Sequence, residues 1–486
     1  MTPDWSTSGV DLHLETGAGA GRRARLEGAL REAIRAGRLV AGTRLPSTRA
    51  LATDLGLARG TVTATYDQLV AEGYLEARPG SGTLVAATGA AVAVPGREPA
   101  SRPGPTLRLV PGSPDVTTFP VAAWSRASRA ALAAAPVAAF GYGDPRGLLE
   151  LRTALAEHLA RTRGVLADPA RIAVTSGYAQ ALALVAQVLH AAGARRVAME
   201  DPGLGFHREI VRRTGLDVVP LPVDRDGART DLLGGAGLAD VSAVVVTPAH
   251  QYPTGATLAP GRRRALLDWA RANGALVVED DYDGEFRYDR QPVGAVQGIG
   301  PDEVVYVGSV SKTIGPGVRL GWMVLPERWL DPVVAAKTYA DHRTGTVDQL
   351  ALAHLVASHG YDRHVRAVRA RYRRRRDLLV DRLTAAVARG AVEVTGISAG
   401  LHALVGLRGA EADEAAVIRR AAALGLEVTG LGEHRHVPAD GEPGIVVGFG
   451  TPSEAEYPRA LAALSRALSD TGAAGKPRTA RPTERR

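Results

Sequence analysis

From Arg108 to about Asp470, short Val-rich runs alternate with longer Ala-, Leu- and Arg-rich segments of helical period. That alternation predicts an α/β domain, in which helices cover both faces of a mainly parallel sheet. Ahead of it, residues 87–107 (ATGAAVAVPGREPASRPGPTL) are rich in Pro, Gly and Ala and carry no period, so they read as a linker. Residues 22–86 have helical periodicity followed by a hairpin signal, and residues 1–21 are a polar, Gly-rich lead-in. The tail 471–486, TGAAGKPRTARPTERR, reads as basic and disordered. A length of 486 residues agrees with at least two domains, and there is no internal repeat.

The chain has no Cys, which excludes disulfides, thiolate metal sites and Cys nucleophiles. Its start, MTPDWSTSGVDLHL, lacks the basic and apolar regions of a secretion signal, and no apolar run reaches membrane-span length. A cytoplasmic location is the default expectation. The net charge is +8, yet residues 1–85 hold ten Arg against nine acids. The excess lies in the tail and in the run Arg369-Ala370-Arg371-Tyr372-Arg373-Arg374-Arg375-Arg376. Such a run either touches phosphates or forms one solvated helix face. Only three lysines occur, Lys312, Lys337 and Lys476. A lysine in an apolar, Ser-rich segment of so lysine-poor a chain needs a reason.

Leu26, Leu30, Ala33 and Ile34 recur at helical spacing, giving a first helix that ends at Gly37. Ser47 is placed to cap a second helix. Gly56 breaks the chain before a third helix from Gly60 to Glu72, whose apolar stripe is Val62, Tyr66, Leu69 and Val70. Thr61, Ala64 and Gln68 point away from that stripe, with Arg59 at its start. Two helices on a short Gly turn, the second small and polar outside, is helix-turn-helix anatomy suited to a major groove. Tyr74 to Val85 then reads as strand, tight turn, strand, a wing. The alternative is a three-helix bundle with a hairpin. RLPSTRALATDLGLARGTVTATYDQLVAEGYLEARPGSGT resembles the winged helix of the GntR family over nearly all its length. The resemblance implies a DNA-binding domain at residues 10–86 that contacts double-stranded DNA. Its contacts would be Arg49, Arg59, Thr61, Thr63 and the Gly80-Ser81-Gly82 turn. Ala58 departs from the small hydroxyl residue frequent there.

A second constellation lies in the large domain. Val304 to Ser309 is an apolar strand that delivers Ser309, Ser311, Lys312 and, seven residues on, Arg319. Pyridoxal 5'-phosphate (PLP) needs an amine for a Schiff base and cationic or hydroxyl groups around its phosphate. Lys312 supplies the first; Ser309, Ser311 and Arg319 supply the second. The other reading is a surface lysine after a strand. Leu276 to Tyr282 is a buried strand ending in acids. Asp280 is the expected carboxylate for the pyridine nitrogen, and Tyr282, on the same strand face, is expected at the ring hydroxyl. Those acids could instead bind a metal, a reading weakened because no His lies nearby in sequence. Ile172 to Leu182 is strand, Gly177 turn, helix, whose start at Tyr178-Ala179 offers backbone N–H groups to a phosphate. Thr247 to Gly255, with Tyr252, is a polar turn closing another strand.

In order and spacing these segments, with Phe140-Gly141-Tyr142-Gly143-Asp144-Pro145-Arg146-Gly147, resemble the fold-type I aminotransferase domain, here at residues 108–470. That likeness implies a smaller C-terminal α+β subdomain, PLP as cofactor and a head-to-tail homodimer with its sites near the subunit interface. Joined to a GntR winged helix, it is similar to the MocR subfamily over residues 10–470. The resemblance implies a cytoplasmic transcription regulator that senses PLP or its adduct with an amino-acid or amine effector. A working aminotransferase with an accessory DNA-binding domain is the alternative. Four departures stand out. Leu204 replaces an aromatic residue, and Tyr178-Ala179 replaces a small polar and Gln pair. Tyr252 stands where aminotransferases have Asn. Pro443 to Gly450 lacks the arginine that binds a substrate carboxylate, with Arg208 and Arg435 the nearby substitutes in sequence.

Overall fold

Two units divide the chain, residues 1–102 and residues 103–486. The computed structural model describes residues 21–80, 82–87, 107–288, 293–396, 399–409, 412–438 and 441–469. The lead-in before residue 21, Ser81, most of the linker and the basic tail lie outside the described residues.

In the first unit, α1 (Arg22–Arg35), α2 (Thr48–Asp54) and α3 (Arg59–Ala71) close on a core that includes Leu26, Leu30, Leu51, Val62, Tyr66 and Leu69. Ser47 Oγ accepts the Ala50 amide at 3.2 Å, the cap expected of it, and fixes the start of α2. Gly56, at φ 61°, makes the turn into α3 that a Cβ would strain. Helix α3 starts at Arg59, one residue before the expected Gly60. Its buried stripe contains Thr65 in addition to the apolar residues, while Val70 is only partly covered. Strands β1 (Leu75–Arg78) and β2 (Gly82–Val85) pair antiparallel, Leu75 opposite Val85 and Arg78 opposite Gly82. Leu75 and Val85 join the helical core, so the hairpin is anchored at its base.

The second unit is built on an eight-stranded sheet. Its spatial order is Ile172–Thr175, Gly321–Val324, Val304–Ser309, Leu276–Asp280, Val241–Val246, Arg196–Asp201, Asp217–Asp224 and Gly227–Ala228. The five strands from Val304–Ser309 to Asp217–Asp224 run parallel. Both faces are covered, which explains why the central strands are runs of Val: Val305 and Val307 face one helical layer, Val304 and Tyr306 the other. A second sheet, ordered Val392–Thr395, His402–Leu407, Gly444–Gly448, Thr429–Gly430, is antiparallel. Helices Glu414–Ala423 and Tyr457–Ser469 and part of the long helix Gly360–Ala388 pack with it into an α+β layer.

That long helix carries the arginine run, and its turn separates the run into different environments. Arg375 is buried at 1% exposure. It donates to Asp115 at 2.8 Å, to Glu454 at 3.0 Å and to the Pro452 carbonyl at 2.7 Å, and the Tyr457 hydroxyl donates to the Arg375 carbonyl at 2.6 Å. Arg371, one turn earlier, lies 3.8 Å from Asp115. The run is therefore not one solvated face, because part of it ties the helix to the start and end of the unit. Replacing Arg375 with Ala leaves the buried Asp115 carboxylate without its main partner. The expected cost is about 3–5 kcal/mol, read as a lower urea midpoint for unfolding of the Arg375→Ala protein.

Candidate cofactor cavity and nucleic-acid face

Parallel pairing makes the C-terminal ends of neighbouring strands converge, and ligands of open α/β sheets bind at that edge. Here Asp201, Val246, Asp280 and Ser309 end four of the parallel strands. A cavity of about 510 Å³ adjoins those ends. Of the residues singled out in the sequence, Tyr178, Tyr252, Asp280, Tyr282, Ser309, Ser311 and Lys312 line it. The strand stops at Asp280, so Tyr282 reaches the cavity from the turn beyond it and not from the strand face expected. Gly177 and Arg319 lie together: a Cβ added to Gly177 would sit 3.4 Å from the Arg319 guanidinium. Arg319 itself holds a left-handed backbone, φ 55° and ψ 44°. Strain of this kind in a non-glycine residue persists only where the surroundings enforce it. Ala179 is in the first turn of helix Tyr178–Ala191 but is not among the residues lining the cavity.

Charge in the cavity is unevenly satisfied. Lys312 donates to the Gly112 carbonyl. Burial holds its ammonium below the usual lysine range, against the pull of Asp280 and Asp283. Asp280 is buried, and its Oδ1 meets no hydrogen-bond partner among the described residues. Burial raises its carboxyl well above the ordinary range, with Lys312 opposing. Glu200, pushed up to about 7 by burial, accepts the Thr247 hydroxyl at 2.5 Å and Gln251 Nε2 at 3.1 Å. By contrast Lys337 is wholly buried and spent on Asp341, at 2.7 Å, and on Thr344.

Several groups were not legible from sequence. His207 Nδ1 lies 3.9 Å from Asp280 Oδ2, and its ring packs against Tyr178, tilted by 37° with centroids 4.5 Å apart. His207 is one helical turn past Leu204, so an i, i+3 reading of that segment would have found it. His402 also lines the cavity and comes within reach of His250 and Asp283, ligand atoms of the three falling within 4.8 Å of one another. The fold thus brings to these acids the histidines that sequence proximity lacked. His250 Nδ1 is hydrogen-bonded to Asp283 at 2.8 Å, which occupies the atoms a cation would take. The Tyr282 hydroxyl donates to the His250 carbonyl at 3.0 Å. The two substitute arginines are committed elsewhere. Arg208 donates to the carbonyls of Gly203, His434 and Arg435, and Arg435 donates to that of Glu442. Arg108, at the cavity wall, is paired with Glu427 at 2.8 Å.

In the first unit near-neutral composition hides segregated charge. Glu27, Glu72 and Glu76 are taken by Arg23, Arg31 and Arg78. Arg49 and Arg59 are exposed and meet no carboxylate among the described residues. They lie in the first turns of α2 and α3, with Thr61 and Thr63 partly exposed on α3. Gly80 and Gly82 flank the wing tip with φ of 77° and 82°. Arg44, which the sequence reading passed over, lays its guanidinium against Gly82.

Residues 22–85 match the gntR family of bacterial regulatory proteins, and residues 111–426 match the aminotransferase class I and II family. The chain is 35% identical over 444 residues to the HTH-type pyridoxine biosynthesis transcriptional regulator PdxR of Corynebacterium glutamicum, covering 90% of this chain and 94% of that protein. It is also 35% identical to the probable rhizopine catabolism regulatory protein MocR of Rhizobium meliloti, over 72% of this chain and 75% of that one. The chain belongs to the MocR-type regulators of the GntR family. As a MocR-type protein it is a transcription regulator that joins a DNA-binding winged helix to an aminotransferase-like domain. The large unit of this MocR-type chain shares the fold of the kynurenine aminotransferase of Pyrococcus horikoshii. The TM-score is 0.67 at 24% identity, covering 76% of this chain and 92% of that one.

Proposed function

We propose that this MocR-type regulator holds PLP on Lys312 and uses the state of that cavity to set how its winged helix binds DNA. The observation that carries the reading is Asp280, a buried carboxylate with an unpartnered oxygen in the same cavity as a lone lysine. A buried acceptor without a donor is costly, and the ring N–H of PLP is a donor of the right kind. The anionic end of the cofactor finds a matching cradle. No side chain caps the helix that starts at Tyr178, Gly177 holds a left-handed φ of 109° beside Arg319, and Ser309 and Ser311 add hydroxyls.

When bound, PLP supplies an aldehyde that an amine can join and a ring that draws electrons from it. The rest is done by the chain. Lys312, made less basic by burial, presents more of its neutral amine at neutral pH than an exposed lysine would. Asp280 would hold a proton at the ring nitrogen, and Tyr252 and Tyr282 bound the ring's edge. Arg319, Gly177, Tyr178 and Ala179, with Ser309 and Ser311, would hold the phosphate. An amino-acid or amine effector would compete with Lys312 for the same carbon. The name of the C. glutamicum relative, a regulator of pyridoxine biosynthesis, supports PLP itself as the signal. Sensing is favoured over turnover because the arginines near the cavity are spent: Arg108 on Glu427, Arg208 on backbone carbonyls. An amino acid's carboxylate then lacks a bidentate clamp to orient it for proton removal.

A head-to-tail homodimer in the cytoplasm completes the reading. Val137, Phe140, Tyr142 and Tyr339 are each more than half exposed, an apolar surface that a second copy would cover. At the DNA, Arg49, Arg59, Thr61 and Thr63 with the wing turn Gly80-Ser81-Gly82 would make the contacts.

Two measurements test these assignments. The purified protein should absorb in the visible range, and borohydride reduction followed by peptide mapping should mark Lys312. Lys312→Ala should be colourless, and a mark on Lys337 or Lys476 would refute the assignment. For DNA, each of Arg49→Ala and Arg59→Ala should cost about 1–3 kcal/mol of binding without altering the visible spectrum. Wild-type affinity in the double variant would contradict it.

A further inference from the structure

Two turns at the sheet's edge, one after strand Leu276–Asp280 and one after strand Val241–Val246, bring Tyr282, Asp283 and His250 together. Tyr282 lines the cofactor cavity; His250 and Asp283 do not, and each has a side chain only 2% exposed. His250 Nδ1 lies 2.8 Å from Asp283 Oδ2 and 3.1 Å from the Tyr282 hydroxyl. A carboxylate only accepts, so the bond to Asp283 places a proton on Nδ1. The Tyr282 oxygen is within reach of that N–H and can accept from it, which leaves its own proton to be donated. With the cavity empty that proton goes to the His250 carbonyl at 3.0 Å. Two glycines make room for the imidazole. A Cβ on Gly400 would press into the ring and lie 2.6 Å from Asp283 Oδ2, and one on Gly255 would stand 3.3 Å from Nε2. Both hold a left-handed backbone, with φ of 68° and 73°. Packing and the Asp283 carboxylate therefore fix the ring together.

We infer that His250 and Asp283 are positioning residues, which hold the Tyr282 oxygen with an N–H so that its proton is presented to the ring oxygen of PLP. The inference rests on the reading that PLP is held on Lys312. It adds two residues that touch neither the cavity nor the cofactor. Burial, with Asp283 and Asp280 close by, raises the Tyr282 phenol well above its ordinary range, so it keeps its proton through neutral pH. A donor at the ring oxygen weakens that oxygen's hold on the proton of the Lys312 nitrogen. Losing the donor moves the loss of that proton to higher pH. Other groups face the pair. Tyr252 comes from its own turn, His402 and His434 from the α+β layer, and Lys312 from beyond Ser309. Burial holds His434 down to about 4 and His402 well below its usual value, so neither adds charge near neutral pH. Glu200, pushed up to about 7 by burial, acts on Asp280 in the titrated range, but it is common to every variant compared.

The test is a pH titration of the visible absorbance of full-length protein loaded with PLP. Tyr282→Phe and His250→Leu should each raise the midpoint by about one pH unit, a tenfold change in proton affinity. The double variant should show no further rise, because His250 acts through the hydroxyl that is already gone. His250→Asn, whose amide nitrogen falls near the place of Nδ1, should return the midpoint toward wild type; His250→Gln, whose amide falls near Nε2, should not. Should the Leu variant fail to fold by circular dichroism, the contrast of Asn with Gln carries the same test. A wild-type midpoint in folded His250→Leu overturns the proposal. So do equal midpoints for Asn and Gln, and so do shifts that add in the double variant, since His250 would then act by packing alone. Wild type that stays colourless with PLP fails at the earlier step, the assignment of Lys312, and takes this proposal with it.

Discussion

Burying a carboxylate oxygen without a hydrogen-bond partner is costly, and Asp280 Oδ1 is in that position among the described residues, at the end of a central strand. The sheet makes it possible. Parallel neighbours on either side fix the backbone at the strand's end, where Asp280 is buried. Around it the cavity gathers groups with complementary needs: Lys312 made less basic, His207 pushed down to about 3 by burial and by Lys312, and Glu200 pushed up to about 7. Strongly perturbed titration clusters at functional sites. A bound cofactor with a ring N–H would relieve the cost at Asp280, and this links occupancy of the cavity to stability of the surrounding sheet.

A second principle is the sorting of arginines. With Lys nearly absent, Arg does the work of packing, capping carbonyls and presenting charge. Arg375, Arg163 and Arg208 are buried and each donates to several acceptors. Arg49 and Arg59 in the first unit, and Arg366 and Arg373 in the second, are exposed. The guanidinium fork suits both uses because it satisfies several acceptors at once when buried and matches phosphate when exposed. Net charge reveals neither role.

The fold was legible because its signals are local. Val runs predict strands buried on both faces, Ser47 and Gly56 punctuate the helix-turn-helix, and the Ser-x-Ser-Lys strand end places Lys312. Lys312, Asp280, Tyr282, Ser309 and Ser311 share one cavity because each stands at or just past a strand end, a position the alternating pattern already implies. What escaped was long-range. His402 comes from the antiparallel sheet and Gly112 from the start of the unit, and neither carries a local pattern pointing to Lys312. The commitment of Arg208 to the carbonyls of Gly203 and His434 is likewise invisible in sequence, where it resembled a free cation near the site. The arginine run was misread in part for the same reason: its partners Asp115 and Glu454 are distant in the chain.

If cavity and winged helix form one regulator, the free energy of filling one must appear in the binding of the other, and reciprocally. The direct measurement is the affinity of the full-length protein for its selected DNA, titrated with PLP and repeated with Lys312→Ala. The account predicts that PLP shifts the wild-type affinity by about fivefold or more and leaves the Lys312→Ala protein unmoved. Wild type that takes up PLP, as seen by its visible absorbance, yet binds DNA with the same affinity throughout would contradict it.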